Sequence, residues 1–303
     1  MVRGGPEHDR IVMDDLKWTL KGGRTARPAP FLIAGILNVT PDSFFDGGRY
    51  RSLDQFCSRA REMLEEGADF IDLGGESTRP FSHPVGKDEE LNRVLPVLRG
   101  ISRAHPEAFL SVDTYRSAVA RETLENGACA INDVSACTFD PELVHVLAEY
   151  RPGYVLMHSR GRPEDMQIAP QYEHILDEIE YFFERKLKSL VKAGLPEENI
   201  VLDPGIGFGK TLEHNLQILG GMERFVRLGR PLYIGLSNKS MWEGLLDLPL
   251  EKRDVATQVG TVLAAERGAS IHRVHDVRSC WQSLTILSET GKAVSRLESG
   301  KGK

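Results

Sequence analysis

Eight short apolar segments recur along the chain, separated by longer amphipathic ones, and this alternation limits the possible folds more than any other feature. The apolar segments span residues 31–37, 69–73, 108–112, 129–133, 153–157, 199–203, 231–235 and 270–274. Helical patterns such as SAVARETLENG (117–127) lie between them and often end in glycine, as helix C-termini do. A strand that alternates with a helix eight times predicts an α/β fold, a (β/α)8 TIM barrel, with a doubly wound open sheet as the alternative.

The length of the chain fits a single domain. The 303 residues would also allow two modest domains, but one barrel takes about 250 residues and no low-complexity tract or linker divides the sequence. We therefore predict a short extension over 1–30 that caps the barrel, the barrel itself over 31–290, and a flexible basic tail over 291–303.

Composition excludes several classes of partner. A net charge of −6 argues against general binding to nucleic acids or anionic membranes, and no run approaches the roughly 18 apolar residues of a membrane span. The four cysteines form no C-x-x-C pair and favour reduced thiols over a disulfide or metal framework. The N-terminus has no apolar signal segment. These features predict a soluble, cytoplasmic protein.

Polar residues end or follow every apolar segment. They are Asn38, the run Gly74–Arg79, Asp113 with Thr114, Asn132 with Asp133, His158, Asp203, the run Ser237–Ser240, and Arg273 with His275 and Asp276. In a TIM barrel these positions share the C-terminal mouth, where active sites are built. Helix capping is the simpler interpretation for Thr114, Asp133 or Ser240 alone. Capping does not account for Arg79, Lys239, Arg273 or His275, so the set predicts a site.

The segment LDPGIGFGKTLEHN (202–215) looks at first like a nucleotide-binding loop. A P-loop would need glycine where Pro204 stands, and the three glycines at 205, 207 and 209 do not have the dinucleotide-binding spacing. We therefore exclude a P-loop NTPase. Three glycines in five residues instead predict left-handed backbone or a close approach to another part of the molecule.

Six motifs together resemble the dihydropteroate synthase family. They are GILNVTPDSFFDGG (35–48), GADFIDLGGESTRP (67–80), SVDT (111–114), INDVSA (131–136), LDPGIGFGKTLEHN (202–215) and GASIHRVHDV (268–277). The resemblance covers roughly residues 31–280. It implies a TIM-barrel transferase that joins p-aminobenzoate to 6-hydroxymethyl-7,8-dihydropterin diphosphate with the help of Mg²⁺, releasing pyrophosphate and giving 7,8-dihydropteroate, a folate precursor. It also implies a homodimer.

The residue chemistry suits such a pterin. Its 2-amino and N3–H edge presents two parallel donors, which Asp113 and Asp203 can accept. Asn132 offers both a donor and an acceptor to the ring nitrogens, and Lys239 can reach the 4-oxo and N5 side. By resemblance, Met157, Ser237 and Ser240 also line the substrate site.

The diphosphate needs cations and fixed donors. Arg273 and His275 follow the eighth strand, where this fold commonly holds phosphate. Asn38 offers an oxygen to Mg²⁺, which otherwise keeps water and phosphate oxygens as ligands.

The resemblance further implies a lid over 38–48 and an aminobenzoate pocket. The lid excludes water while the C–O bond of the pterin ionises, Asp42 stabilises the cation and Phe44 or Phe45 shields it. The aminobenzoate pocket is lined by Thr78, Arg79, Pro80 and Phe208. The residues predicted to act in catalysis are thus Asp42, Arg79, Lys239, Arg273 and His275.

Several positions depart from the family pattern. Asn238 stands where the family has arginine, and Ser159-Arg160-Gly161 replaces the usual Met-Gln-Gly. We hypothesise that Arg160 supplies part of the missing charge. Two alternatives stay open: a non-catalytic pterin-binding paralogue, which Asn238 favours, and a corrinoid-linked pterin methyltransferase, which would leave the loops at Asn38 and 78–80 without a purpose.

Overall fold

The fold is a closed barrel of eight parallel strands surrounded by helices. The computed structural model describes residues 16–40, 53–77 and 84–300, and side chains as far as residue 293. In barrel order the strands are β3 (Leu32–Asn38), β4 (Phe70–Gly74), β5 (Phe109–Asp113), β6 (Ala130–Asp133), β7 (Gly153–Met157), β8 (Ile200–Asp203), β9 (Leu232–Ile234) and β10 (Ala269–Val274), and β10 closes on β3. This confirms the predicted TIM barrel. Each strand starts and ends within two residues of its apolar segment.

Helices connect successive strands around the outside of the barrel. They are α1 (Leu53–Glu65), α2 (Lys87–Ala104), α3 (Ser117–Glu125), α4 (Leu143–Tyr150), α5 (Ile175–Ala193), α6 (Leu212–Gly220), α7 (Glu223–Val226), α8 (Met241–Leu246), α9 (Asp254–Glu266) and α10 (Val277–Gly300). Within the described residues, no helix combines the length and apolarity needed to cross a bilayer.

Helix α5 shows how the sequence specifies these elements. Its buried side chains Ile175, Ile179, Phe183 and Leu187 recur every four residues, so one face packs against the barrel. The helix ends where Gly194 adopts a φ of 112°, a left-handed conformation that a side chain would strain.

Two apolar clusters form the core. The larger fills the space between the strands and the surrounding helices. The smaller fills the floor of the barrel, the end at which the strands begin, and includes Phe70, Val155, Val201 and Ile271. An antiparallel hairpin of β1 (Trp18–Thr19) and β2 (Thr25–Ala26) contributes Trp18 to this smaller cluster.

The C-terminal end differs from the prediction of a tail beginning at residue 291. Helix α10 continues through Gly300. Lysine, alanine, arginine, leucine and glutamate dominate this stretch and are good helix formers, so the glycine at 291 does not stop the helix. An ion pair from Lys292 to Glu289, at 2.7 Å, spans that glycine on the helix surface.

Candidate active site

The predicted site residues that the structure describes lie at the mouth of the barrel, where the strands end. Six strands contribute one each at or next to their last residue: Asn38, Asp113, Asn132, Met157, Asp203 and Arg273. Ser237, Lys239 and Ser240 follow β9, and His275 follows β10. Asp42, Thr78, Arg79 and Pro80 lie outside the described residues, and their roles stay predictions.

Arg273 holds two carboxylates together at the centre of the mouth. Its Nε donates to Asp72 Oδ2 at 2.6 Å and its Nη2 donates to Asp113 Oδ2 at 2.8 Å. Two charge-assisted bonds from one planar guanidinium fix the orientation of all three side chains. Arg273 was predicted to bind diphosphate, and in this arrangement Nη1 is the nitrogen left for that contact.

Asp72 accepts hydrogen bonds from three residues of this network, and its side chain is completely buried. Besides Arg273, it accepts bonds from Ser111 Oγ and from Asn132 Nδ2, the latter at 3.0 Å. The bond from Asn132 leaves the carbonyl oxygen of that amide for a ligand. Asp72 therefore orients Asn132 and Arg273 from below without being exposed itself.

Burial raises the pKa of both predicted pterin carboxyl groups. Desolvation raises the pKa of Asp113 to about 7, against the lowering effect of Arg273. Desolvation likewise raises the pKa of Asp203 to about 6, against a hydrogen bond from the Gly205 amide at 2.7 Å and the charge of Lys239. Among described residues, the hydrogen bonds use one oxygen of each carboxyl, so the other is left for a ligand. A carboxylate with one oxygen left over in this way favours a ligand that donates a hydrogen bond to that oxygen.

The backbone conformation of the turn after β8 requires its three glycines. Gly205 and Gly209 have φ values of 70° and 64°, and a Cβ on either would lie about 2 Å from a backbone oxygen: 2.0 Å from His158 O and 2.1 Å from Arg160 O respectively. Gly207 is also left-handed, with a φ of 81°. Both sequence expectations, left-handed backbone and close approach, are confirmed, and the close approach is to the loop after β7.

This turn brings Phe208 beneath Lys239. The ammonium of Lys239 lies 4.2 Å from the centre of the Phe208 ring, a cation–π contact. Burial lowers the pKa of Lys239 to about 8, and Asp203 opposes that shift. A flat ring can stack on Phe208 while its polar edge meets the charged groups of Lys239 and Asp203.

Ser237, which follows β9, and His275, which follows the neighbouring strand β10, form a pair. The hydroxyl of Ser237 lies 2.9 Å from Nδ1 of His275 and also accepts the His275 amide at 3.3 Å. This contact orients the imidazole ring of His275.

Known proteins share the sequence pattern and the fold of this chain. A sequence model of the family described as "Pterin binding enzyme" matches residues 34–275. The chain belongs to this family. It is 44% identical over 247 residues to the dihydropteroate synthase of Bacillus subtilis, covering 82% of this chain and 84% of that protein. It is 39% identical over 261 residues to the enzyme of Haemophilus influenzae, covering 86% and 94%.

Solved structures of the family superpose closely. Yersinia pestis dihydropteroate synthase, solved with a sulfonamide drug, gives a TM-score of 0.86 at 39% identity, over 91% of this chain and all of that one. The Xanthomonas albilineans enzyme in complex with 7,8-dihydropteroate gives 0.80 at 34% identity, over 89% and 97%.

For a member of this pterin-binding family, the main residue that sequence reasoning missed is Asp72. It lies inside an apolar segment, DFIDL, whereas the predicted residues lie at the end of each segment or after it. A signal was present, because a carboxylate within a buried strand needs partners. Ser111 occupies the matching position in the neighbouring strand, paired with Asp72 in register.

Thr114 and Asp133, for which helix capping is the simpler interpretation, make local contacts. Thr114 Oγ1 accepts the amide of Arg116 at 3.2 Å. Asp133 is fully buried and accepts the amides of Ser135 and Cys137, at 2.7 and 2.6 Å. These bonds shape the loops after β5 and β6.

The departures from the family pattern at 160 and 238 lie in different surroundings. Asn238 has a left-handed φ of 60°, and its carbonyl accepts Arg253 Nη1 at 3.1 Å. Arg160 pairs with Glu178 at 2.9 Å and stacks 4.1 Å over the ring of Tyr172. The hypothesis that Arg160 replaces the charge missing at 238 would require it to leave Glu178, and it stays a prediction.

Proposed function

We infer that the chain condenses 6-hydroxymethyl-7,8-dihydropterin diphosphate with p-aminobenzoate, giving 7,8-dihydropteroate and pyrophosphate for folate synthesis. The observation that carries this inference is the mouth of the barrel, where Asp113 and Asp203 lie with Asn132 and Lys239 beside the ring of Phe208. The identity to dihydropteroate synthases over more than four fifths of the chain supports the same activity.

The pterin binds with its donor edge toward the two carboxylates. The 2-amino and N3–H groups donate to the oxygens of Asp113 and Asp203 that are not used within the protein. One face of the ring packs against Phe208, which the family resemblance also places at the aminobenzoate pocket, and Lys239 reaches the oxo side of the pterin. This pose orients the 6-methylene carbon away from the barrel interior and toward solvent, where the second substrate enters.

The diphosphate lies on the side of His275 and Asn38. Ser237 holds the imidazole of His275 at 2.9 Å, and Arg273 Nη1 supplies a nearby positive charge. As the C–O bond breaks, both electrons leave with pyrophosphate, and these groups stabilise the charge that develops. The amine lone pair of aminobenzoate then forms the C–N bond, and the nitrogen loses its proton.

Magnesium fits this chemistry through Asn38. Within the described residues no group of three His, Cys, Asp or Glu could form a protein cage for a metal. A single amide oxygen suits Mg²⁺, which keeps waters and phosphate oxygens as its other ligands. Gly74 leaves room for this amide, because a Cβ there would lie 3.3 Å from Asn38 Oδ1. When bound, the ion would neutralise charge on the diphosphate.

Pyrophosphate release tests the proposal. We expect the purified chain to release pyrophosphate at a steady rate only when pterin diphosphate, p-aminobenzoate and Mg²⁺ are all present, with one dihydropteroate formed per pyrophosphate. Release without aminobenzoate would indicate a hydrolase. Tight pterin binding without any release would favour the non-catalytic paralogue that Asn238 suggested.

The same proposal includes a homodimer and a cytoplasmic location. An apolar stripe recurs every four residues on α9, where Val255, Val259 and Leu263 are 76%, 55% and 38% exposed. Such a stripe favours burial against a second copy. Analytical ultracentrifugation should give a dimer for the natural chain and a monomer for Val255→Glu/Val259→Glu.

The cysteines are free thiols, which agrees with a reducing compartment.

A further inference from the structure

The turn after β8 is held at three consecutive carbonyl groups by side chains. Gln167 Nε2 donates to Gly207 O at 2.6 Å, Lys210 Nζ to Phe208 O at 3.0 Å, and Tyr172 OH to Gly209 O at 3.0 Å. Gln167 and Tyr172 belong to the segment between β7 and α5. Two of the three donors that hold the backbone around Phe208 therefore come from outside the turn, and the third is Lys210 at its end.

Lys210 is the unusual member of this group, because its ammonium is buried among neutral acceptors. The residue is 2% exposed. Besides Phe208 O, the ammonium contacts His158 O at 3.1 Å and His158 Nδ1 at 3.0 Å. Among the residues that the structure describes, no carboxylate lies within ion-pair distance of it. A buried cation without an ion pair is costly and needs a reason.

We propose that Lys210 is a positioning residue for the pterin: its ammonium ties the turn carrying Phe208 to the end of β7, and its charge keeps Asp203 ionised. This rests on the proposed function, because it takes a pterin as the ligand of Asp203 and Phe208. Lys210 itself acts through these two residues.

The backbone joins Lys210 to Asp203. The amide of His158 donates to Asp203 O at 2.9 Å, while the carbonyl of the same residue accepts Lys210. Gly205 lies against that carbonyl and donates its amide to the Asp203 carboxylate. His158, directly after β7, thus contacts both Lys210 and the backbone of Asp203.

The charges around Asp203 give Lys210 its second role. Burial raises the pKa of Asp203, and the positive charges that lower it are Lys239, Lys210 and Arg273. Arg273 is already committed to Asp72 and Asp113. Without Lys210, the Asp203 carboxyl would take up a proton at a higher pH and would stop accepting the donor edge of the pterin.

Other titratable groups near Lys210 define the pH range of the test. Burial lowers the pKa of Lys210 to about 7, with Asp203 opposing and Lys239 and Arg160 adding to the shift. Burial, Lys210 and Arg160 lower the pKa of His158 well below its usual value. The ammonium is therefore charged in the range where Asp203 titrates, around pH 6.

Calorimetric titration of 6-hydroxymethylpterin between pH 5.5 and 8 tests the proposal on four proteins: the natural chain, Lys210→Met, Lys210→Gln and Tyr172→Phe. Met removes the charge and the donors, whereas Gln keeps two neutral donors. Phe at 172 removes one bond to the same turn without changing any charge, so it is the matched control.

We expect Lys210→Met to bind about tenfold more weakly at pH 6.5, the scale of one lost charge-assisted bond. The pH at which affinity is half-lost on the acid side should move up by about one unit. Lys210→Gln should show the same upward move with a smaller loss at pH 8. Tyr172→Phe should lose less than about threefold and should not move the midpoint.

An unchanged acid midpoint in Lys210→Met would overturn the proposal, even if affinity fell, since a purely structural lysine would weaken binding at every pH alike. If the Met variant does not fold, the midpoint of Lys210→Gln decides in the same way. Failure of the natural chain to bind the pterin would instead overturn the proposed function.

Discussion

The two ends of the barrel are built from the same strands but with opposite chemistry. At the floor, Trp18 stacks on Phe70 with ring centres 4.9 Å apart, and Phe70 stacks on Phe109 at 5.0 Å. Toward the mouth, β4 carries Asp72 two residues after Phe70, and β5 carries Asp113 four residues after Phe109. The apolar floor favours folding, whereas the buried charges of the mouth oppose it unless they are paired.

This difference indicates that the first half of each strand serves stability and the second half serves ligand binding. Side chains that alternate into the barrel change from aromatic and aliphatic groups to carboxylates within one or two inward positions. The rigid floor allows the mouth to keep carboxyl groups whose pKa values are raised by burial. Substitutions at the floor should therefore change stability with little effect on affinity, and substitutions at the mouth should do the reverse.

The largest effect is expected from Trp18→Ala at the floor. Trp18 is 1% exposed, and its indole donates to Asn199 O at 2.8 Å. Its removal should lower the free energy of unfolding by about 3–5 kcal/mol, because it leaves a cavity and an unpaired carbonyl. Denaturant titration measures this loss. The matched control is Trp281→Ala, which removes a side chain that is 46% exposed and should cost much less.

A loss of pterin affinity as large as the loss of stability in folded Trp18→Ala protein would contradict the proposed division. The floor hairpin would then be part of the binding site.

A second test adds one methyl group at each end of the barrel. Gly205 at the mouth and Gly229 before β9 have nearly the same φ, 70° and 71°, but only Gly205 has a neighbour, a backbone oxygen 2.0 Å from its would-be Cβ. Both alanine variants carry a backbone cost of about 1–2 kcal/mol. Gly205→Ala should also displace the turn and weaken pterin binding at least about tenfold, whereas Gly229→Ala should bind normally. Equal affinities by calorimetry would show that this turn does not position the ligand.

The pH dependence should have opposite signs for stability and for binding. The folded pKa values of Asp203 and Asp113, about 6 and about 7, are raised above the unfolded value near 4. Their contribution to stability is thus fully present below about pH 4 and is lost as the pH rises through 6–7. Pterin affinity should rise over the same range, because ionised carboxylates accept its donor edge.

Denaturant titrations and calorimetry from pH 5 to 8 measure both trends. Asp203→Asn should flatten each of them partially, since one of the two groups no longer titrates. Parallel trends, with stability and affinity rising together, would refute the assignment of these carboxyl groups.

The smallest effect is expected at Arg160, on the rim of the mouth. Its side chain is 48% exposed and pairs with Glu178, and exposed pairs contribute less than about 1 kcal/mol. Arg160→Ala should therefore reduce kcat/KM for aminobenzoate by less than about fivefold, and adding Asn238→Arg should give an additive result. A loss of tenfold or more that Asn238→Arg restores would support the earlier hypothesis that Arg160 replaces the charge missing at 238.

The sequence predicts the strands and the set of residues at the mouth, because apolar runs and the polar residues after them are local features. It does not predict how these side chains pair. Arg273 was assigned to diphosphate, yet two of its nitrogens contact Asp72 and Asp113, which lie 201 and 160 residues away in the chain. In the sequence, Lys210 belongs only to the segment 202–215, which lacks the glycine spacing of a nucleotide-binding loop. Its burial among three neutral acceptors arises only when the loop after β7 folds against the turn after β8.

The most direct test of the central claim is to measure stability and pterin affinity together in Asp203→Asn. The mouth keeps buried charge for binding at the expense of stability. Calorimetry should show affinity for the pterin lowered by about 2–4 kcal/mol, because the amide sets a donor against a donor. Denaturant titration of the unligated variant at pH 7.5 should show stability equal to or above that of the natural chain, since a buried carboxylate has been removed. Normal pterin affinity combined with a loss of stability would contradict the claim and would make Asp203 a structural residue.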